Sequence, residues 1–338
     1  MTRDLVRPNV IQPIPPLPPG LREAALRGTL VPFIGAGASK IAGCPDWATF
    51  ADMALDFFIK QGKFSHGQLD QLRGQSPRVK LSIALSLQRE HNLQIEFDKS
   101  LYNNGQDSNL KGRKLYQHLT NLGNTFVTTN YDQWLDTAIS APVPSPGAGK
   151  DPTTSAIGEQ RRVFYKVDDL TPDNLRQGNA VFHLHGSIVD PDSMIMTTQH
   201  YLRHYATGHS SNRSTNANVV LSFLEFLFQS KTVLFVGYGL AELEILEYII
   251  GKAHPMGAAG RTEIRHFLLQ GFFLHEQELA NRLSTYYAEF GIQLIPFLRD
   301  HKDWDQLIEV LDTYAQLAPV GPILKVQRLK EMEDLLNG

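Results

Sequence analysis

The stretch Thr29–Trp47, TLVPFIGAGASKIAGCPDW, constrains the chain more than any other. Leu30 to Ile34 is an apolar run of strand length. It breaks at once into Gly35-Ala36-Gly37-Ala38-Ser39. Gly35 and Gly37 carry no Cβ, so the backbone can turn sharply there and approach a ligand. Ser39 is placed to cap a following helix, whose free N–H groups and positive dipole end suit a phosphate. Strand, glycine turn and helix start form either a phosphate cradle or a tight turn with no ligand. The dinucleotide fingerprint G-x-G-x-x-G, with an acid about 20 residues on, is not met. Lys40 holds the place of the third glycine, and no acid stands at an obvious second-strand end. An ordinary NAD(P)H dehydrogenase is therefore disfavoured.

With 338 residues the chain can bury one large core, or one core plus a small insert. A net charge of −3 provides no field for nucleic acid or a membrane surface. The one cysteine, Cys44, excludes an intrachain disulfide and a cysteine-based zinc site, and fits a reducing cytosol. The longest apolar region, Val219 to Phe228, is too short to span a bilayer and contains Glu225. The opening MTRDLVRPNVIQPIPPLPPG has no apolar core of the signal-peptide kind. These features together predict a cytoplasmic protein with no membrane and no direct nucleic-acid contact.

The fold expected is α/β: a Rossmann-like, doubly wound, mostly parallel sheet with a helical insert over the nucleotide cleft. Three regions follow from patterning. Residues 1–28 form a proline-rich arm and a short helix. The arm is either a loose tail or a strap onto a neighbouring subunit, with Val10, Ile11, Ile14 and Leu17 as anchors. Residues 29–300 carry the sheet, with a helical insert at about 61–121, and residues 301–338 carry terminal helices. Strands are predicted at 30–34, 125–128, 162–167, 181–187, 231–238, 265–269 and 292–297. A helix is predicted at 133–139 and another at 241–250.

Three further strand ends carry polar or glycine motifs. Thr125 to Thr128 runs into Thr129-Asn130-Tyr131-Asp132; Val181 to Leu184 runs into His185-Gly186-Ser187; Lys231 to Val236 runs into Gly237-Tyr238-Gly239-Leu240. In open α/β sheets, ligands sit at the carboxyl ends of strands. Asn130 and Asp132 also suit a turn that caps the next helix. His183 and His185 alternate with Phe182 and Leu184, which predicts both imidazoles on one sheet face. His200 and His204 stand four apart on a predicted helix, a spacing that can chelate a metal or form an ordinary pair. No metal site is expected.

GAGAS followed by GCPDW resembles the nucleotide-binding opening of the sirtuin family, GAG-x-S and then G-x-PDF. TTNYD is similar to the family's TQNID and keeps Thr128, Asn130 and Asp132. HLHGS matches its His-Gly, and GYGL is close to its G-T/S-S-L turn. The four occur in the family's order over about residues 30 to 245. Residues 188–230 contain none of the four cysteines of the deacetylases' zinc module. The resemblance is to sirtuin-like proteins lacking that module, which are widespread in bacterial antiviral defence and typically hydrolyse NAD+.

That resemblance implies Asn130 and His185 as catalytic residues with Asp132 beside them, NAD+ as substrate and no metal. It places the diphosphate on Gly35, Ala36, Gly37 and Ser39, sets Asp46 in the loop that closes over the nicotinamide, and counts Trp47, Thr128 and Gly186 among the NAD+-binding residues. Gly237, Tyr238 and Gly239 would line the adenosine side. Asn130, with a donor and an acceptor, can fix a ribose hydroxyl and a water. His185 is expected to titrate near working pH and accept a proton. The activity implied is an NAD+ glycohydrolase that depletes NAD+ in an abortive-infection response. The alternatives are a subunit that binds NAD+ or ADP-ribose without turnover, and an NAD-dependent protein deacylase. A homo-oligomer is expected, with a HerA-like ATPase or an Argonaute-type protein as possible activator.

Overall fold

The computed structural model describes residues 10–102, 106–136, 161–205, 218–238 and 264–318. Seven strands form one sheet: β1 (Leu30–Ile34), β2 (Thr125–Thr128), β3 (Arg162–Phe164), β4 (Ala180–His183), β5 (Thr232–Val236), β6 (His266–Phe272) and β7 (Ile292–Leu298). Their order is β3-β4-β2-β1-β5-β6-β7 and every pairing is parallel. The expected doubly wound parallel sheet is therefore the fold. β1 pairs with β2 on one side and β5 on the other, so the chain winds outward in both directions from β1. Ile34 sits beside both Thr128 and Val236, and Thr128 beside His183. This register delivers the four motifs to one edge of the sheet.

Side-chain alternation divides the strands between two cores, as pleating requires. Val31, Phe33, Val127, Phe182, Val233 and Phe235 face one way. There they pack against α8 (Pro172–Gln177), α10 (Val219–Ser230) and α11 (Gln277–Ala288). Leu30, Ile34, Phe126, Val181, Leu234 and Val236 face the other way. They meet α1 (Pro19–Leu26), α2 (Ala36–Ile41), α7 (Gln106–Leu122) and α12 (Gln306–Leu317). Pro32 lies inside this central strand although proline cannot donate to a ladder. β1 begins pairing with β2 only at Phe33. Gly123 approaches Pro32 so closely that a Cβ there would lie 3.0 Å from its Cδ.

A third core lies over the sheet edge. It joins α3 (Trp47–Lys60), α5 (Pro77–His91) and α6 (Phe97–Leu101) through Phe50, Phe58, Leu81 and Phe97, together with α4 (His66–Gln71). Tyr131, Ile188, Met194 and Met196 enter this core from the segments after β2 and β4. The helical layer thus begins at Trp47, and α7 packs on the sheet, whereas patterning put the insert at 61–121.

Other differences are local. Residues 133–136 form turns, not the start of a helix, because Asp132 and His183 hold this segment against the sheet edge. The expected helix at 241–250, the part of the expected terminal helices beyond residue 318, and Gly239 lie outside the described residues. The arm from Ile11 to Pro18 lies on its own chain. Ile11 is buried, Gln12 bridges Phe297, and the Tyr314 hydroxyl donates to the Pro15 and Pro16 carbonyls. No helix among the described residues is long and apolar enough to cross a membrane.

Candidate active site

The glycine loop is locked against the end of β5. Gly35 N donates to Val236 O at 2.9 Å, Gly37 N to Gly237 O at 2.8 Å, and Ala38 N to Gly35 O at 3.1 Å. A Cβ on Gly35 would come 2.7 Å from Gly237 O, and one on Gly37 2.8 Å from it. These glycines therefore allow two backbones to touch, and of the N–H groups expected to hold a diphosphate, those of Gly35 and Gly37 are spent within the protein. Gly35 caps α2, so Ser39 is a buried residue inside the helix, not its cap.

From that position Ser39 ties β1 to β2. Its hydroxyl donates to Asp132 Oδ2 at 2.5 Å and accepts from Asn130 Nδ2 at 2.7 Å. Tyr116 OH lies 3.2 Å from the same oxygen. Asn130 Nδ2 also donates to Gly35 O at 2.9 Å. A backbone carbonyl can only accept, so this contact settles the amide orientation. With Nδ2 held by Gly35 and Ser39, the amide group left to meet a ligand is the Oδ1 acceptor. Thr128 is fully buried and braces the turn: its Oγ1 donates to Ile34 O at 2.9 Å and accepts from Asn130 N at 3.0 Å. Asp132 is also buried. Burial drives its pKa up, against the opposing bonds from Ser39 Oγ and Trp134 N.

The two histidines of HLHGS diverge, contrary to the alternation argument, because β4 ends at His183 and the chain turns at Leu184. His183 places Nδ1 3.0 Å from Asn130 O and Nε2 2.8 Å from Asp136 Oδ1, both acceptors. Burial disfavours its charge, but the Asp136 carboxylate prevails and raises its pKa above the ordinary value. His185 Nε2 lies 3.0 Å from Tyr205 OH on α9 (Thr198–Tyr205). Burial, with His204 and Arg78 nearby, pushes the His185 pKa down to about 3. His185 therefore stays neutral near working pH instead of titrating there. Gly186 closes the turn at φ 81°, where a Cβ would strike Ser193 O at 2.2 Å.

A cavity of about 680 Å³ opens between this edge and the helical layer. Ala36, Ser39, Asn130, Asp132, His185 and Tyr238 line it, together with Trp47 and Cys44 from the loop into α3. The size and mixed lining suit a small-molecule site. Trp47 stacks on Phe50 at 6.2 Å and leans on Tyr131 at 5.7 Å, forming an aromatic wall. Burial raises the Cys44 thiol pKa, with the Asp132 charge adding to the effect, so the thiol is held protonated. Several expected residues are not part of this lining. Asp46 caps α3 through Thr49 N and pairs with Lys40, while Thr128, Gly186 and Gly237 hold the backbone in place.

The slowly varying polar pattern of 76–78 and 198–205 concealed a second wall. Arg78, Thr198, Tyr201 and Tyr205 all line the cavity. Tyr201 and Tyr205, four apart on one helix, were the available signal. His200 and His204 do not chelate together. His200 Nδ1 lies 3.2 Å from Met194 O, while His204 packs on His185 and Tyr205. No group of three or more His, Cys, Asp or Glu side chains among the described residues could hold a metal.

The SIR2-like domain family model matches residues 124–295, slightly more than half of the chain. The chain belongs to the SIR2-like domain family. The match runs from β2 into β7 and includes the TTNYD and HLHGS segments. No curated protein matches the chain. SIR2-like domains bind NAD+ and form an NAD-using enzyme family. The cavity at the carboxyl ends of β1, β2, β4 and β5 is where a SIR2-like sheet with this winding can receive a dinucleotide.

Proposed function

We propose that this SIR2-like chain is an NAD+ glycohydrolase. One observation carries the reading: Asn130 and His185, from adjacent parallel strands, line a single cavity together with the Asp132 carboxyl. In the reaction the bond between the pyridinium nitrogen and ribose C1′ breaks. Its electron pair leaves with nicotinamide, which becomes neutral. Water adds its oxygen to C1′, and a proton passes to solvent. The centre at C1′ is cationic while this happens, so the site must stabilise positive charge and position water.

The residues divide that work. Asn130 offers Oδ1 as an acceptor to a ribose hydroxyl or the attacking water. His185, neutral and steadied by Tyr205, accepts a second hydrogen bond from the same groups. Its low basicity suits a late proton transfer, after the glycosidic bond has weakened. Asp132 supplies negative charge toward the cationic centre. Trp47 and Tyr131 exclude bulk water from the nicotinamide side.

The test is release of nicotinamide and ADP-ribose from NAD+ by the purified chain, without an acylated peptide. Asn130→Ala and His185→Ala should each lower the rate about 100-fold or more. Release that required an acetyl-lysine peptide would instead indicate deacylation. Tight binding without turnover would indicate a nucleotide-binding assembly subunit.

The biological setting proposed is NAD+ depletion in the cytoplasm during bacterial antiviral defence. Gating would come from self-assembly or a separate activator such as a HerA-like ATPase or an Argonaute-type protein. Nicotinamide release by the chain alone and with the products of neighbouring genes tests this setting.

A further inference from the structure

A dinucleotide brings two phosphate charges, and the locked glycine loop leaves them short of partners. The N–H groups of Gly35, Gly37 and Ala38 already bond to backbone carbonyls. Among the described residues lining the cavity, Arg78 is the one arginine or lysine and Asp132 the one carboxylate. Arg78 comes from α5, across the cavity from the sheet edge. Its guanidinium carbon lies 4.2 Å over the Tyr201 ring, which fixes the direction of a long side chain. No carboxylate among the described residues pairs with it. A guanidinium held over an aromatic face, with no ion-pair partner among the described residues, is suited to a phosphate.

We propose that Arg78 is the phosphate-recognition residue of this site, taking the diphosphate while Asp132 faces the nicotinamide-ribose end. This inference rests on the dinucleotide reading and deepens it: the site selects nucleotides over nucleosides. The two opposite charges orient a ligand that is itself cationic at the pyridinium and anionic at the diphosphate.

The test compares NAD+ with nicotinamide riboside, which has the same scissile bond and no phosphate. Arg78→Met keeps the aliphatic contact with Tyr201 and removes the charge. In that variant kcat/KM for NAD+ should fall roughly 10- to 100-fold, mostly through KM, the loss expected for one or two charge-assisted bonds. The riboside value should change less than about twofold, and Arg78→Lys should recover part of the loss. Rising salt should raise KM for NAD+ in the wild type and not in Arg78→Met. An equal fall for both substrates, or none for NAD+, overturns the proposal. If wild type binds NAD+ without cleaving it, hydrolysis fails as the reading. The same comparison by intrinsic tryptophan fluorescence titration then still decides Arg78. If wild type binds neither compound, both ideas fall.

Discussion

Asn130 Nδ2 donates to the Gly35 carbonyl at 2.9 Å, which makes the ends of β1 and β2 one hydrogen-bonded unit. Replacing that donor with an acceptor should harm more than removing it. Asn130→Asp would set a carboxylate oxygen against the Gly35 carbonyl and near Asp132, all inside the protein. The expected loss is about 1–3 kcal/mol of stability beyond that of Asn130→Ala. Urea unfolding of the two variants measures the difference; equal stability would show that the amide orientation is not the constraint.

The neutral state of His185 makes a separate prediction about activity. A base depressed to about pKa 3 is already unprotonated throughout the neutral range. The kcat/KM for NAD+ should therefore show no acid limb between about pH 5 and 8 from this group. Tyr205→Phe removes the hydroxyl 3.0 Å from Nε2 and should lower kcat about 10-fold with little effect on KM. A limb near the ordinary histidine pKa in wild type would contradict the depressed value.

His183 has the opposite electrostatics and a structural consequence. Its pKa is raised from the ordinary 6.5 by the Asp136 carboxylate, which outweighs burial. The stability it contributes is fully present below pH 6.5 and is lost as pH rises through the higher folded value. Between those two values the loss is at most about 1.4 kcal/mol per pH unit. Urea midpoints across this window should fall in wild type, and this component should vanish in His183→Gln and Asp136→Asn. A wild-type slope retained in both variants would assign it elsewhere.

Much of this architecture was legible because strands buried on both faces read as continuous apolar runs. β1, β2, β5 and β7 all stand within two residues of where patterning put them. The ends of those strands also carry small polar and glycine groups that a buried run cannot tolerate, which is why the site edge could be located. What the groups do there was not legible. Whether Gly35 and Gly37 free their N–H groups for a ligand depends on Gly237, about 200 residues away in sequence. Whether alternation continues past His183 depends on the turn at Leu184. Arg78 and Tyr201 are an ordinary exposed arginine and tyrosine until α5 and α9 meet across the cavity.

The arm supplies the remaining prediction, and here the structure changes the expected readout. A strap onto a neighbouring subunit would make deletion of residues 1–20 a change in oligomeric state. Ile11 is instead only 3% exposed and sits in this chain's own core, with its N–H donating to Gln277 Oε1 at 2.9 Å. Gln12 continues the sheet past β7, accepting from Leu298 N at 2.9 Å. Ile11→Ala should therefore cost about 2–4 kcal/mol, the usual range for truncating a buried aliphatic side chain. The deletion should cost more, because it also uncovers the β7 edge and leaves the buried Tyr314 hydroxyl without its carbonyl partners. Thermal melts alongside a sizing column separate the possibilities. A lower melting midpoint at unchanged size is expected. A change in size with no loss of stability would return the arm to a neighbouring subunit.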